Sequence, residues 1–181
     1  MIIYEDLCGF HAPPGTEVVY ITSLMQMIGL GNQSFLGALF SDHSIKTDLP
    51  TFTLVNHPCQ WLENCFRWGI FNLPMMHIVV PPAVLKTDCF YEFVKSIYGH
   101  STDIYGRLHR QYKSDVTIRT EDLPWCLFEL LESLGTIISK KNVPPLSKKT
   151  VYDDGRTNWT KELRELVRNS EQRMFEDYEY F

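Results

Sequence analysis

An α/β fold with a largely parallel sheet is the class the sequence predicts, and three observations predict it. TFTLV, Thr51–Val55, is a continuous apolar run of the kind found in strands covered on both faces. It passes through Asn56 and His57 to Pro58, beyond which Trp61, Cys65 and Trp68 recur at helical spacing. Further along, DVTIRT alternates like a strand and runs into the leucine-rich EDLPWCLFELLESLG. Strands interleaved with helices in this way fold as layers, helices against a central sheet.

The elements follow in order. MIIYEDLCGFHAP ends in a short strand, and the turn Pro13-Pro14-Gly15 places Thr16 as an N-cap. In the helix that follows, Val18, Ile21, Met25 and Ile28 share one face and Gly29 or Gly31 is the stop, although the β-branched residues from Val18 to Thr22 also permit a strand. Residues 32–50 read as loop before the TFTLV strand and its helix. Residues 69–87 are irregular, since Pro74 and the Pro81-Pro82 pair interrupt anything long. Amphipathic helices are expected over 90–98 and 103–112, and a strand over 115–120. The next helix opens on Glu121 and Asp122 and buries Leu123, Leu127, Leu130, Leu131 and Leu134. An irregular segment over 136–157 carries Pro144-Pro145, and a C-terminal helix over 158–178 closes the chain with Leu163, Leu166 and Met174 inward.

The bulk numbers bound the function. With 181 residues, 44% of them hydrophobic, the chain can bury one sizeable core and reads as a single domain, 1–181. A net charge of -5 leaves no basic footprint for nucleic acid or an anionic membrane, so neither is expected as a partner. No apolar run approaches the roughly 18 to 20 residues that span a bilayer. The N-terminus lacks the basic-then-apolar order of a signal peptide, so a cytoplasmic protein is expected. Cys8, Cys59, Cys65, Cys89 and Cys126 show neither CxxC nor Cys/His ligand spacing, and are expected as reduced thiols with no metal site.

Four stretches together resemble the small soluble sulfotransferase-like proteins of phages and bacteria, P-loop α/β proteins that use 3′-phosphoadenosine 5′-phosphosulfate. TFTLVNHPCQWLENCFRW resembles the family's strand, Arg-His-Pro turn and helix; FYEFVKSIYG resembles its Phe-x-x-Phe-Val helix. DVTIRTEDL is similar to the strand that enters a Glu-Asn-Leu turn, and TKELRELVRNSEQRMFEDYEYF to the terminal helix. GFHAPPGTEVVYITSLMQMIGLG is similar, more weakly, to the strand, His-x-Pro-Lys-x-Gly-Gly-Thr loop and first helix. The resemblance implies a three-layer sulfotransferase-like fold whose donor site is formed by Gly15, Thr16 and Glu17 with Asn56 and Asn64. If the chain is phage-encoded, the host cytoplasm or the virion is its expected place.

The departures from that pattern bear on activity. The resemblance implies a loop lysine at the sulfuryl group, an arginine before His-Pro and a helix serine at the 3′-phosphate. Here HAPPGT is shorter and has no lysine, and Asn56 and Asn64 replace the arginine and the serine. A neutral asparagine hydrogen bond contributes about 1 kcal/mol, against roughly 1.5 to 3 for a charge-assisted one. The site is therefore expected to bind the donor weakly, which favours a binding or structural module with altered or lost catalysis. An active sulfotransferase acting on a hydroxyl or amine is the alternative, with Lys46, Arg67 or Arg107 as replacement cations. In the first case a protein partner would engage the surface or the acidic, aromatic tail EDYEYF.

Several residues admit two readings. Gly15 and Thr16 suit an anion cradle or a plain capped turn. Asn56 stands at a strand's carboxyl end, where α/β sheets bind ligands, or satisfies its own turn. His43, in FSDHS, is placed as a general base by the resemblance, or is a solvated loop histidine. His57 orients the turn, with catalysis as its second reading. Trp61, Trp68 and Trp125 are expected as core anchors.

Overall fold

Antiparallel pairing begins the chain: β1 (Ile2–Tyr4) lies against β2 (Cys8–His11), with Ile3 opposite Gly9, where the sequence predicts a single strand. The computed structural model of the chain describes residues 1–4, 7–30, 33–35, 47–69, 87–139, 143 and 157–180. These fall into two compact units, Met1–Val55 with Tyr112–Thr150 and Asn56–Gln111 with Val151–Phe181.

The first unit is the sheet. β3 (Gln33–Phe35), β4 (Thr51–Val55) and β5 (Val116–Arg119) complete the order β3-β1-β2-β4-β5. The half β2-β4-β5 is parallel, as expected for α/β, whereas β1 pairs antiparallel with both β2 and β3. The Leu7 N–H donates to the Tyr4 carbonyl at 2.8 Å, and three residues separate β1 from β2, too few for a helical crossover.

Alternation decides which side chains meet. Ile2, Tyr4, Cys8, Phe10, Phe52, Leu54 and Ile118 share one core with α1 (Val18–Met27) and α5 (Trp125–Ser133), which insert Ile21, Leu24 and Met25, and Leu127, Phe128 and Leu131. Phe10 and Phe52 stack at 4.9 Å across the parallel pair. Each such fully buried side chain stabilises the fold by about 1.5 to 3 kcal/mol.

Helix α1 ends as predicted. Gly29 takes φ +90, the Leu30 N–H donates to Met25 O and the Gly29 N–H to Gln26 O, a six-residue closure that a Cβ at Gly29 would strain. Glu121 and Asp122 do not open α5: they lie in a separate 3-10 turn, Thr120–Asp122, and Pro124 stands at the helix N-cap. Proline at that point cannot continue the turn's hydrogen bonding, so the helix restarts after it.

The second unit is helical. It comprises α2 (Pro58–Arg67), α3 (Phe90–His100), α4 (Ile104–His109), α6 (Lys161–Ser170) and α7 (Gln172–Asp177). The C-terminal helix expected over 158–178 is broken at Glu171, which caps both α6 and α7. Thr160 caps α6 by accepting the Leu163 N–H at 3.2 Å. Phe66, Phe90, Phe93 and Trp159 form an aromatic layer in this unit, and Trp61 stacks on Tyr105. Trp61 is thus a core anchor, but Trp68 and Trp125 are 77% and 58% exposed, against expectation. Trp68 lies past the last turn of α2, and Trp125 is the first residue of α5, off its buried stripe.

Of the irregular segments, 70–86 and nearly all of 140–156 lie outside the described residues. Cys8, Cys59 and Cys65 are buried free thiols, Cys126 is half-buried, and Cys89 is exposed. No helix among the described residues is long and apolar enough to cross a membrane.

Candidate functional site

The glycine turn sits between β2 and α1. Gly15 adopts φ +81, which a side chain would resist, and is buried with Pro13 and Pro14. Thr16 is not the helix cap. Its hydroxyl donates backwards to the Pro13 carbonyl at 2.7 Å, and the Thr16 N–H donates to the same oxygen at 3.3 Å. This hydroxyl is spent on the turn, so the N-cap falls one residue later, on Glu17, whose side chain makes no capping hydrogen bond. Burial pushes the Glu17 carboxyl above the ordinary carboxylate range. An acidic residue thus occupies the N-cap of α1, where an anion cradle would need an open ring of N–H donors.

The second group lies at the start of α2. Asn56 is fully buried, and its backbone N–H donates to the Tyr105 hydroxyl at 2.8 Å. His57 is the N-cap: its Nδ1 accepts the Cys59 N–H at 3.1 Å, which requires Nδ1 to carry no proton. Pro58 brings no N–H, and the Trp61 N–H returns to the His57 carbonyl at 3.0 Å. The amino end of α2 is thus satisfied largely from within, and His57 has the orienting role of its two readings. Its ring meets Phe175 edge-on at 5.2 Å and Tyr180 at 5.0 Å. Asn64, about two turns on, accepts from the Gln60 side chain at 3.2 Å along the helix. Burial raises the Cys59 thiol to about 12, so it is no nucleophile at neutral pH.

No family model, curated protein or solved structure matches the chain significantly. The site therefore has to be read from its own chemistry.

Gly15, Thr16 and Glu17 belong to the sheet unit, and Asn56 and Asn64 to the helical unit. Gly15, Thr16 and Glu17 are consecutive in one turn, whereas Asn56 precedes α2 and Asn64 lies about two turns along it. His43 and Lys46 lie outside the described residues. Arg67 donates to the Thr157 hydroxyl at 2.9 Å and Arg107 to the Ser101 hydroxyl at 2.5 Å, so both expected replacement cations hold local structure. Arg164 and Arg168 on α6 were not singled out in the sequence. Arg164 lies over the Trp159 ring at 5.4 Å and its charge acts on Cys59, and Arg168 lies over Phe175 at 6.0 Å.

The residue that sequence reasoning passed over is Glu171. It is wholly buried, and accepts from Tyr98 Oη at 3.1 Å, the Tyr105 N–H at 2.8 Å and the Gly106 N–H at 3.2 Å. Burial lifts its carboxyl to about 7, against the opposing pull of those donors. In NSEQRMF it is a polar residue, but it follows buried Leu163 and Val167 at eight and four residues, so helical spacing places it on their face, a signal the sequence did carry.

Proposed function

We propose that the chain is a sulfotransferase-like α/β protein whose donor site has degenerated, and that it serves as a binding or structural module without sulfuryl transfer. The observation that carries this reading is Glu17 at the N-cap of α1. The resemblance assigns this helix end to the 5′-phosphate of 3′-phosphoadenosine 5′-phosphosulfate. A carboxylate about 5 Å from a bound phosphate opposes it by of order 3 kcal/mol per charge at an effective dielectric near 20. The buried Asn56 and the internally capped α2 support the same reading, since neither leaves a charged group to receive the 3′-phosphate.

A protein partner fits the acidic, exposed part of the tail, Glu176, Asp177 and Glu179, better than its aromatics, because Phe175 and Tyr180 are buried. The cytoplasm is the compartment that suits its free thiols.

The active sulfotransferase is the second reading, favoured by Arg164, whose charge reaches the second residue of α2. Thermal denaturation with millimolar 3′,5′-adenosine bisphosphate, together with a sulfate-transfer assay on hydroxyl and amine acceptors, separates the two. No shift in Tm and no transfer are expected. A rise in Tm that Arg164→Ala abolishes, or turnover, would establish the second reading instead.

A further inference from the structure

Glu171 joins three parts of the helical unit. Its backbone forms the junction of α6 and α7, and its carboxyl receives the first two N–H groups of α4 beyond Ile104 and the Tyr98 hydroxyl of α3. Tyr105, held at its N–H by this carboxyl, in turn accepts the Asn56 N–H through its own hydroxyl. Among the described residues Glu171 makes no ion pair. The titratable groups that face it are Tyr98 from α3 and, beside the α4 N-terminus, Asp103, which is paired with Arg110 at 2.5 Å. Cys59 and Cys65 of α2 act on Tyr98, and Arg110 feels the charge of Glu171 itself as well as those of Asp103 and of Asp177 in α7.

The partners differ in what they allow. The two backbone N–H groups can only donate, whereas the Tyr98 hydroxyl can donate to a carboxylate or accept from a carboxylic acid. A protonated Glu171 keeps its place if Tyr98 turns its hydrogen away and accepts the new O–H. An ionised Glu171 has all three donors, but Arg110, the cation whose charge it acts on, is already paired with Asp103, and the carboxyl is closed to water.

We infer that the Glu171–Tyr98 pair is a proton-operated latch on α4. With the carboxyl protonated, α4 and, through Tyr105, the Asn56 turn are held. Loss of the proton to solvent breaks the carboxyl O–H, returns Tyr98 to the donor role and leaves a buried charge, which favours release of α4 to water. Because burial raises the carboxyl from its ordinary 4.5 to about 7 in the folded chain, the holding effect is complete below the unfolded value. It is lost as the pH climbs through the folded value.

The test is a titration of the intact chain with the Glu171 carboxyl carbon observed by NMR, alongside hydrogen exchange of the α4 amides corrected for intrinsic rates. The expected midpoint is about 7, with the Tyr105 and Gly106 amide signals moving in step. Opening of α4 is expected to rise by about tenfold per pH unit between the unfolded and folded values and then to level off. Glu171→Gln should flatten this profile. Tyr98→Phe, which keeps the carboxyl and removes one donor to its charged form, should move the midpoint upward even if the glutamine variant does not fold. A Glu171 midpoint in the range of an exposed glutamate, or α4 opening that ignores its titration, would overturn the inference.

Discussion

The Tyr105 ring lies flat on the Trp61 indole, centroids 4.4 Å apart and planes within 10° of parallel, while its hydroxyl accepts the buried Asn56 N–H at 2.8 Å. One side chain thus supplies both apolar packing and the acceptor for the turn that opens α2. The two roles separate by substitution. Tyr105→Phe keeps the stacking and removes the acceptor, and should lower stability by about 1 to 3 kcal/mol. Tyr105→Ala removes both, and should cost about 3 to 5 kcal/mol. Urea denaturation of the two variants checks the order; an unchanged Tyr105→Phe would mean the hydroxyl contributes nothing, and equal losses would mean the stacking adds nothing.

His57 caps α2 through Nδ1 and packs its ring between Phe175 and Tyr180. His57→Ala should therefore lose about 1 kcal/mol for the cap and roughly 0.5 to 1.5 for the ring contacts. His57→Asn keeps a capping oxygen and should recover only the first part. Equal losses in the two variants would show that the cap is not formed in solution.

Asp115 brackets the entry to the two parallel strands. Its carboxylate accepts the Thr51 N–H at 2.7 Å and the Thr51 hydroxyl at 2.8 Å, and the Thr51 hydroxyl oxygen accepts the Asp115 N–H at 3.1 Å. The Thr51 backbone and hydroxyl donors hold the carboxyl below its ordinary 3.8. A depressed folded value stabilises above the unfolded one and is lost as pH falls through the folded one. Asp115→Ala should therefore cost about 1 kcal/mol at neutral pH, and the gap to the parent should close in strong acid. Thermal melts from neutral pH down to about pH 2.5 measure this gap; a gap independent of pH would assign the loss to packing alone.

Glu17 behaves in the opposite sense. Burial raises its carboxyl, so the protonated folded form is favoured below the ordinary value of 4.5, and that advantage is lost as pH rises through the folded value. Glu17→Gln should melt higher than the parent at neutral pH and at the same temperature near pH 4. A parent that is the more stable at neutral pH would mean that the carboxylate is held by an interaction worth more than its burial.

Much of the sheet was legible in the sequence because its code is local. TFTLV, DVTIRT and the leucine stripe of α5 each carry their own periodicity, and Gly29 marks the end of α1 by a backbone requirement that few other residues meet. The β1–β2 hairpin was missed because MIIYEDLCGFH is apolar at both ends and its turn has no Asn-Gly or Asp-Gly signal. The site was legible only as positions. Asn56 and His57 stood out at the strand end, but the sequence cannot say that the first is enclosed and the second spends its lone pair on Cys59.

The amino-acid sequence alone determines the α/β class and a largely parallel sheet, because residue type and spacing are enough to state them, whereas the strand order came from the tertiary structure. Tertiary structure decided the roles of Glu17 and Glu171. A glutamate's residue type is the same whether it faces water or the interior; its charge becomes costly only when folding removes the water around it.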